Sequence, residues 1–241
     1  MSKPLEKVGQ GISTLNAGWK FDAAVVENFE DHVVQSIPFY LEGHDLICKV
    51  TDYFVKDDSV AYDLGASTGS LILKLVDHHK HKPDVRWIGI DTEPSMVEKA
   101  KKPLKKFKNV EMRVDDVTTM EFEGADLIIA YYTVQFVHPK HRQILIDNIF
   151  NALNWGGAFI WFEKVRASDA RFQDIMTTLY HDFKLGNGFS PEEVISKSRS
   201  LKGVLEPFST NGNLDLLKRA GFVDSISIMK YLCFEGVLAI K

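Results

Sequence analysis

The chain has 241 residues, 45% of them hydrophobic, and a formal net charge of −4 at pH 7. That suits one α/β domain with a smaller helical elaboration, leaves no room for a second cofactor domain, and speaks against a generic polyanion-binding surface. Direct nucleic-acid binding is therefore not expected, and the lysine run from Lys99 to Lys108 reads as a solvated helix face. No stretch reaches the roughly 18 apolar residues of a membrane span. Cys48 and Cys233 stand far apart without a CxxC pair, so neither a disulfide nor a metal framework is indicated and a reducing cytoplasm is the expected setting.

Residues 1–20, with Gly9, Gly11 and Gly18 and little periodicity, read as a loose arm. From Phe21 to Phe54 apolar residues recur at helical spacing, interrupted by Pro38, which predicts helices ahead of the sheet. Strands follow at 59–64, 86–90, 110–114, 126–130 and 157–163, with helices at 69–80, 94–106 and 139–154. Residues 165–209 form an expected helical lid, with Tyr180, His181, Phe183, Lys184 and Phe189 on its inner face. A helix at 211–220 closes on Gly221, and strands at 226–231 and 235–240 form a hairpin with an antiparallel edge. The fold class is α/β: a doubly wound, mostly parallel, seven-stranded sheet in one domain spanning 1–241, with 1–55 as arm and helices.

Chemistry concentrates at the strand ends. Val60-Ala-Tyr-Asp-Leu-Gly-Ala-Ser-Thr-Gly69 and Trp87-Ile-Gly-Ile-Asp91 read as adjacent parallel strands ending in a nucleoside site, where glycine lets the backbone lie against a ligand. The spacing Gly65-x-x-x-Gly69 is not the three-glycine dinucleotide pattern, and the lysine of a triphosphate loop is missing. A ligand without phosphate fits better, and S-adenosylmethionine is one. Taken singly, Asp63 reads equally as a helix cap, Asp91 as a turn former before Pro94, and Asp116 as a loop aspartate beside Asp115.

With Val114-Asp-Asp-Val117 as a third block, the sequence resembles the class I S-adenosylmethionine-dependent methyltransferases of Rossmann-like fold. That resemblance implies S-adenosyl-L-methionine as cofactor. Asp63 would orient its ammonium end, with Gly65, Ala66, Ser67 and Gly69 passing the methionine moiety. Asp91 would accept from both ribose hydroxyls, Thr92 and Met96 would flank the adenine, Asp116 would accept from its amino group, and the Val117 amide would donate to a ring nitrogen.

A closer similarity covers Phe21 to Lys241. Phe21-Asp22, Gln35-Ser-Ile-Pro-Phe-Tyr40, Thr133-Val-Gln-Phe136, Glu163-Lys164, His181-Asp-Phe-Lys184, Asn187-Gly188 and Phe234-Glu-Gly236 are similar to the carboxy-S-adenosylmethionine synthase family. This family uses prephenate to turn the cofactor's methyl into a carboxymethyl group destined for tRNA wobble uridine. Two positions depart from it. Tyr131 stands where the family has asparagine, and Ser198 where it has the arginine that pairs with the added carboxylate; Arg199 lies one residue later. Serine cannot supply the bidentate charge of a guanidinium.

The primary expectation is therefore methyl transfer to an unidentified small-molecule acceptor, with carboxy-S-adenosylmethionine synthesis as the alternative and a non-catalytic cofactor-binding subunit as a third reading. Tyr40, Tyr131, Tyr132 and Phe136 are candidates for an aromatic wall at the sulfonium. Tyr131, Glu163 and His181 are the foremost candidate catalytic groups, with Tyr40 and His138 also able to serve as a base. The competing readings are a Glu163–Lys164 ion pair and a merely helical His181. His78, His79 and His81 lack spaced carboxylate or cysteine partners, so no zinc site is expected. The oligomeric state is left open, a homodimer being common among related enzymes.

Overall fold

The structure, a computed structural model, describes residues 5–21 and 23–241. Five parallel strands, β3 (Val60–Leu64), β4 (Arg86–Asp91), β5 (Val110–Val114), β6 (Ala125–Tyr131) and β7 (Leu153–Lys164), form most of one sheet. It continues through β9 (Phe234–Ile240), antiparallel to β7, to the edge strand β8 (Asp224–Tyr231), in the order β5-β4-β3-β6-β7-β9-β8. This is the expected doubly wound, seven-stranded, Rossmann-like arrangement. β3 and β6 are parallel neighbours, but the order in which successive strands are added reverses between them, and at such a switch point a crevice opens beyond the carboxyl ends of the strands.

The central strands are buried on both faces, and their side chains divide by parity. Ala61, Leu127, Ile129, Ile160 and Phe162 face a core shared with α4 (Ser70–His78) and α5 (Pro94–Leu104) through Leu71, Leu75 and Val97. Tyr62, Leu64, Ile88, Ile128 and Phe159 face the other side, where α6 (Pro139–Ala152) and α9 (Thr210–Ala220) supply Leu145, Ile149, Leu216 and Leu217. Near-continuous apolar runs follow from that two-sided burial. Strand β7 starts earlier than expected, at Leu153, so the Asn154–Gly157 turn belongs to its first residues, with Asn154 bonded to Asp126 and Gly156 to Lys241.

Residues ahead of the sheet form α1 (Ala23–Val26), α2 (Phe29–Ser36) and α3 (Tyr40–Thr51), with Pro38 at the α2–α3 junction. The arm corrects the sequence expectation. Its described residues contain an antiparallel hairpin, β1 (Glu6–Gly9) and β2 (Ile12–Thr14), with buried Val8 and Ile12. Gly9, at φ +102°, lies against the Phe189 ring so closely that a Cβ would collide with it. The glycines that suggested a loose segment instead make a tight turn and a close approach. The Ala17 and Trp19 amides then donate to the Arg199 and Ser200 carbonyls at 3.0 and 3.2 Å, closing the hairpin onto α8 (Pro191–Ser200).

The 165–209 segment is two helices, α7 (Ala170–Gly186) and α8, the latter opening on a capping box between Ser190 and Glu193. No described helix is long and apolar enough to cross a membrane.

Gly69 caps the N-terminus of α4 at φ +79°, and a Cβ there would lie 2.9 Å from the Ala100 Cβ of α5. Gly69→Ala is expected to cost ~1–3 kcal/mol of stability through backbone strain and crowding. Urea denaturation reads that loss, while the folded fraction should bind cofactor with unchanged affinity.

Candidate active site

Beyond Leu64 the chain leaves β3 through Gly65 (φ +74°) and Ser67 (φ +51°), both in the left-handed region. The Gly65 and Ala66 amides both donate to the Ile90 carbonyl of β4, at 2.8 and 2.9 Å, so the loop is stitched to the neighbouring strand. A Cβ at Gly65 would overlap Thr133, whose hydroxyl donates to the Leu64 carbonyl at 2.6 Å. Thr68 hydrogen-bonds Glu30, fastening α2 over the same loop.

Asp91 closes β4. Its Oδ2 accepts from the Ser67 amide at 2.8 Å and its Oδ1 from the Glu93 amide at 2.9 Å. Burial raises its pKa, while those amides oppose the rise. Asp63 is fully enclosed with Oδ2 unpartnered, and burial followed by the Asp91 charge pushes its pKa up to about 7. Met96 is buried and touches Ser67 Oγ, and Val117 is buried beside exposed Asp116. Asp116 Oδ1 accepts from the Thr118 amide and hydroxyl at 2.8 and 2.7 Å.

These groups border one cavity of about 500 Å³. Tyr40, Asp63, Gly65, Ala66, Ser67, Asp91, Thr92, Met96, Asp116, Val117 and Tyr131 all line it, but Gly69 does not. Its glycine is explained by the cap and by Ala100.

The three catalytic candidates fare differently. Tyr131 lines the cavity, yet its hydroxyl donates to the Tyr40 carbonyl at 2.6 Å and fills the space a Cβ at Gly43 would occupy. It is a wall, and burial holds its phenol far above the ordinary range. Glu163 lies outside the lining: its Oε1 accepts from the Gln135 amide at 3.1 Å, and burial pushes its carboxyl to about 8. His181, partly exposed on α7, is also outside. The alternative ion pair fails too, because Lys164 turns away from Glu163 and places Nζ 4.1 Å from the centroid of the Tyr180 ring. Of the expected inner face of the lid, Tyr180 alone borders the cavity. Phe136 and His138 line it as well.

A methyltransferase-domain family model matches residues 61–157, the span from β3 into β7. Carboxy-S-adenosyl-L-methionine synthase of Staphylococcus epidermidis is 37% identical over 224 residues, covering 92% of this chain and 97% of the relative. The enzyme of that name from Campylobacter lari is 33% identical, with 99% and 97% covered. The chain belongs to the carboxy-S-adenosyl-L-methionine synthase family. Human N-acetylserotonin methyltransferase, solved in complex with S-adenosylmethionine, shares the fold at a TM-score of 0.54 and 17% identity, over 90% of this chain and 59% of its own.

Membership makes this chain a methyltransferase-class enzyme using S-adenosylmethionine rather than a non-catalytic subunit, and the cavity fits that cofactor. The unpartnered Asp63 carboxylate offers an acceptor, and the Gly65 turn leaves backbone where a side chain would intrude. At the family's arginine position, Ser198 is exposed, and so is Arg199: the helix carries both away from the cavity. The cation that faces inward from α8 is Lys197, 7% exposed, with Nζ 2.6 Å from the Trp19 ring centroid. Lys164 is the second lysine of the lining, and no described carboxylate forms an ion pair with either. Burial lowers both pKa values.

Sequence reasoning passed over Trp19, His32, Ser36 and Lys197. The one signal available was that Lys197 shares a helix face with Val194. The histidine cluster also changes in the fold. Asp52 arrives from the end of α3 to accept from His78 Nε2 at 2.8 Å, while His79 Nε2 meets the Thr51 hydroxyl at 2.8 Å. The partners judged missing are thus present among the described residues, but as hydrogen-bond partners.

Asp63 and Glu163 set a pH dependence. Both folded pKa values are raised, so between about pH 4 and pH 7–8 the folded state holds protons the unfolded chain has released. Stability of the cofactor-free protein should therefore fall as pH rises across that window. Denaturant titrations at several pH values should show the fall, and Glu163→Gln should flatten its upper part.

Proposed function

We propose that the enzyme carboxylates its cofactor: the C–CO2 bond of a small organic acid breaks, the electron pair left on the acid takes up, directly or through an expelled hydroxide, the proton given up by the sulfonium methyl, and the methyl carbon bonds the CO2 to give carboxy-S-adenosylmethionine. The observation that carries this reading is Lys197. A buried ammonium without a carboxylate is costly, and a bound acid relieves that cost by supplying the counter-charge. Lys197 and Lys164 together make the second-substrate end of the cavity a receptor for carboxylates, in place of the missing arginine. The names of the relatives above support the same reading.

S-adenosylmethionine, when bound, supplies the sulfonium-activated methyl group. Asp91 holds the ribose hydroxyls, Asp63 the ammonium, and Asp116 with the Val117 amide the adenine. Gly65, Ala66 and Ser67 lie along the methionine portion, and Thr92 and Met96 flank the base. Tyr40, Tyr131 and Tyr132 exclude water beside the methyl, which favours group transfer over hydrolysis of the activated species. Glu163 acts by fixing the 133–137 loop rather than by touching substrate.

A second reading is favoured by Ser198: methyl transfer to a small carboxylate acceptor, with Lys197 pairing the acceptor's acid. Mass spectrometry of products from S-adenosylmethionine with prephenate separates the two. A cofactor heavier by one carboxyl group supports the synthase, and its absence alongside methylation of an added acid supports the transferase. Lys197→Met should lower kcat/KM for the acid by about 10–100-fold, the worth of a charge-assisted hydrogen bond. Asp91→Ala should weaken cofactor binding by a similar factor, about 10–100-fold, in calorimetry. Near-normal binding would overturn the ribose assignment.

A further inference from the structure

Five buried side chains lining the cavity each carry a polar atom with no hydrogen-bond partner among the described residues: Trp19 Nε1, His32 Nε2, Ser36 Oγ, Asp63 Oδ2 and the Tyr132 hydroxyl. A buried polar group without a partner is destabilising, so such a gathering points to a ligand that completes it. Asp63 belongs to the cofactor blocks. Trp19, His32 and Ser36 instead come from the arm and α2, ahead of every cofactor motif, and Lys197 touches Trp19.

The hydrogen bonds around His32 fix its tautomer. Gln10 of the hairpin turn spends its amide N–H on Gln35 Oε1, so the oxygen of Gln10 is what meets His32 Nδ1, at 2.7 Å. In this amide orientation Nδ1 carries the proton and Nε2 presents a lone pair. The ring is also held in place, stacked on Trp19 at 5.5 Å between centroids and edge-on to Phe189 at 6.0 Å. Burial and the nearby charges of Lys197 and Lys184 keep it neutral. A neutral, fixed imidazole of this kind accepts a hydrogen bond and cannot pair with a carboxylate.

We propose that His32, set in one tautomer by Gln10, is a specificity residue that accepts a hydrogen bond from a hydroxyl or N–H group of the bound acid, next to the carboxylate held by Lys197. Trp19 Nε1, a donor, complements it by favouring an oxygen acceptor on the same molecule. The site thus selects a hydroxy acid, or an acid with an equivalent donor, over a plain carboxylate. This rests on the proposed acid-binding function of the cavity.

The test is calorimetric titration of prephenate, which carries a hydroxyl and two carboxylates, and of its analogue with hydrogen in place of that hydroxyl. S-adenosylhomocysteine saturates the cofactor site so that no turnover occurs. Wild type should prefer prephenate by roughly tenfold, the worth of one buried hydrogen bond. His32→Phe keeps the stacking ring and should bind both acids equally weakly, with S-adenosylhomocysteine affinity unchanged. Gln10→Leu should lose much of the preference, and Gln10→Glu, which retains an acceptor for Nδ1–H, should keep it. Undiminished preference in His32→Phe overturns the role of His32 and leaves acid binding standing. Failure of wild type to bind either acid while binding the cofactor analogue overturns both.

Discussion

Two amides on one carbonyl hold this site together. By donating from both Gly65 and Ala66 to Ile90, the loop after β3 is tied to the end of β4, which sets Gly65, Ala66 and Ser67 beside Asp91 at the cavity. Asp91, one residue beyond Ile90, reaches back to the Ser67 amide and locks the loop a second time. Left-handed backbone at Gly65 and Ser67 is strained for an ordinary residue, and such strain persists where the surroundings over-determine it. Here Thr133, Ile90 and Asp91 do so.

The second principle is electrostatic asymmetry within one cavity. Acidic groups, Asp63, Asp91 and Asp116, gather at the strand ends, where a cofactor with cationic sulfur and ammonium would sit. Lysines 164 and 197 stand toward the lid and arm. On the proposed reading, a cationic donor would be drawn to the acids and an anionic co-substrate to the lysines, within one cavity also lined by Tyr40, Tyr131 and Tyr132. Desolvation strengthens both attractions, since fewer waters screen them.

The fold was legible because the sheet is buried on both faces: strands such as Leu127–Ala130 are unbroken apolar runs, and the helices between them carry their own period. The gathering of Asp63, Gly65 and Asp91 at one cavity was legible because the glycine and the two acids answer local demands at adjacent strand ends. Tyr131 and Glu163 misled for the opposite reason. Their roles depend on partners distant in sequence, the Tyr40 carbonyl and the Gln135 amide, which no spacing rule reveals. Lys197 was hidden by its neighbours: a helix turns adjacent residues in different directions, so the inward cation sits one place before the serine. The arm was misread because glycines that make tight turns look, in sequence, like glycines that make slack.

The pairing of Ala17 and Trp19 with Arg199 and Ser200 joins the first strands of the chain to its last lid helix. A ribosome delivers those partners far apart in time, so the hairpin must wait, with Val8, Ile12 and Trp19 uncovered, until α8 has emerged. Contacts of such long sequence separation form late, because the loop between them must first be closed. The proposed cofactor end of the cavity, whose loop is held by residues up to Thr133, can therefore assemble while the end lined by Lys197 is still open, and the order of synthesis mirrors the division of the cavity.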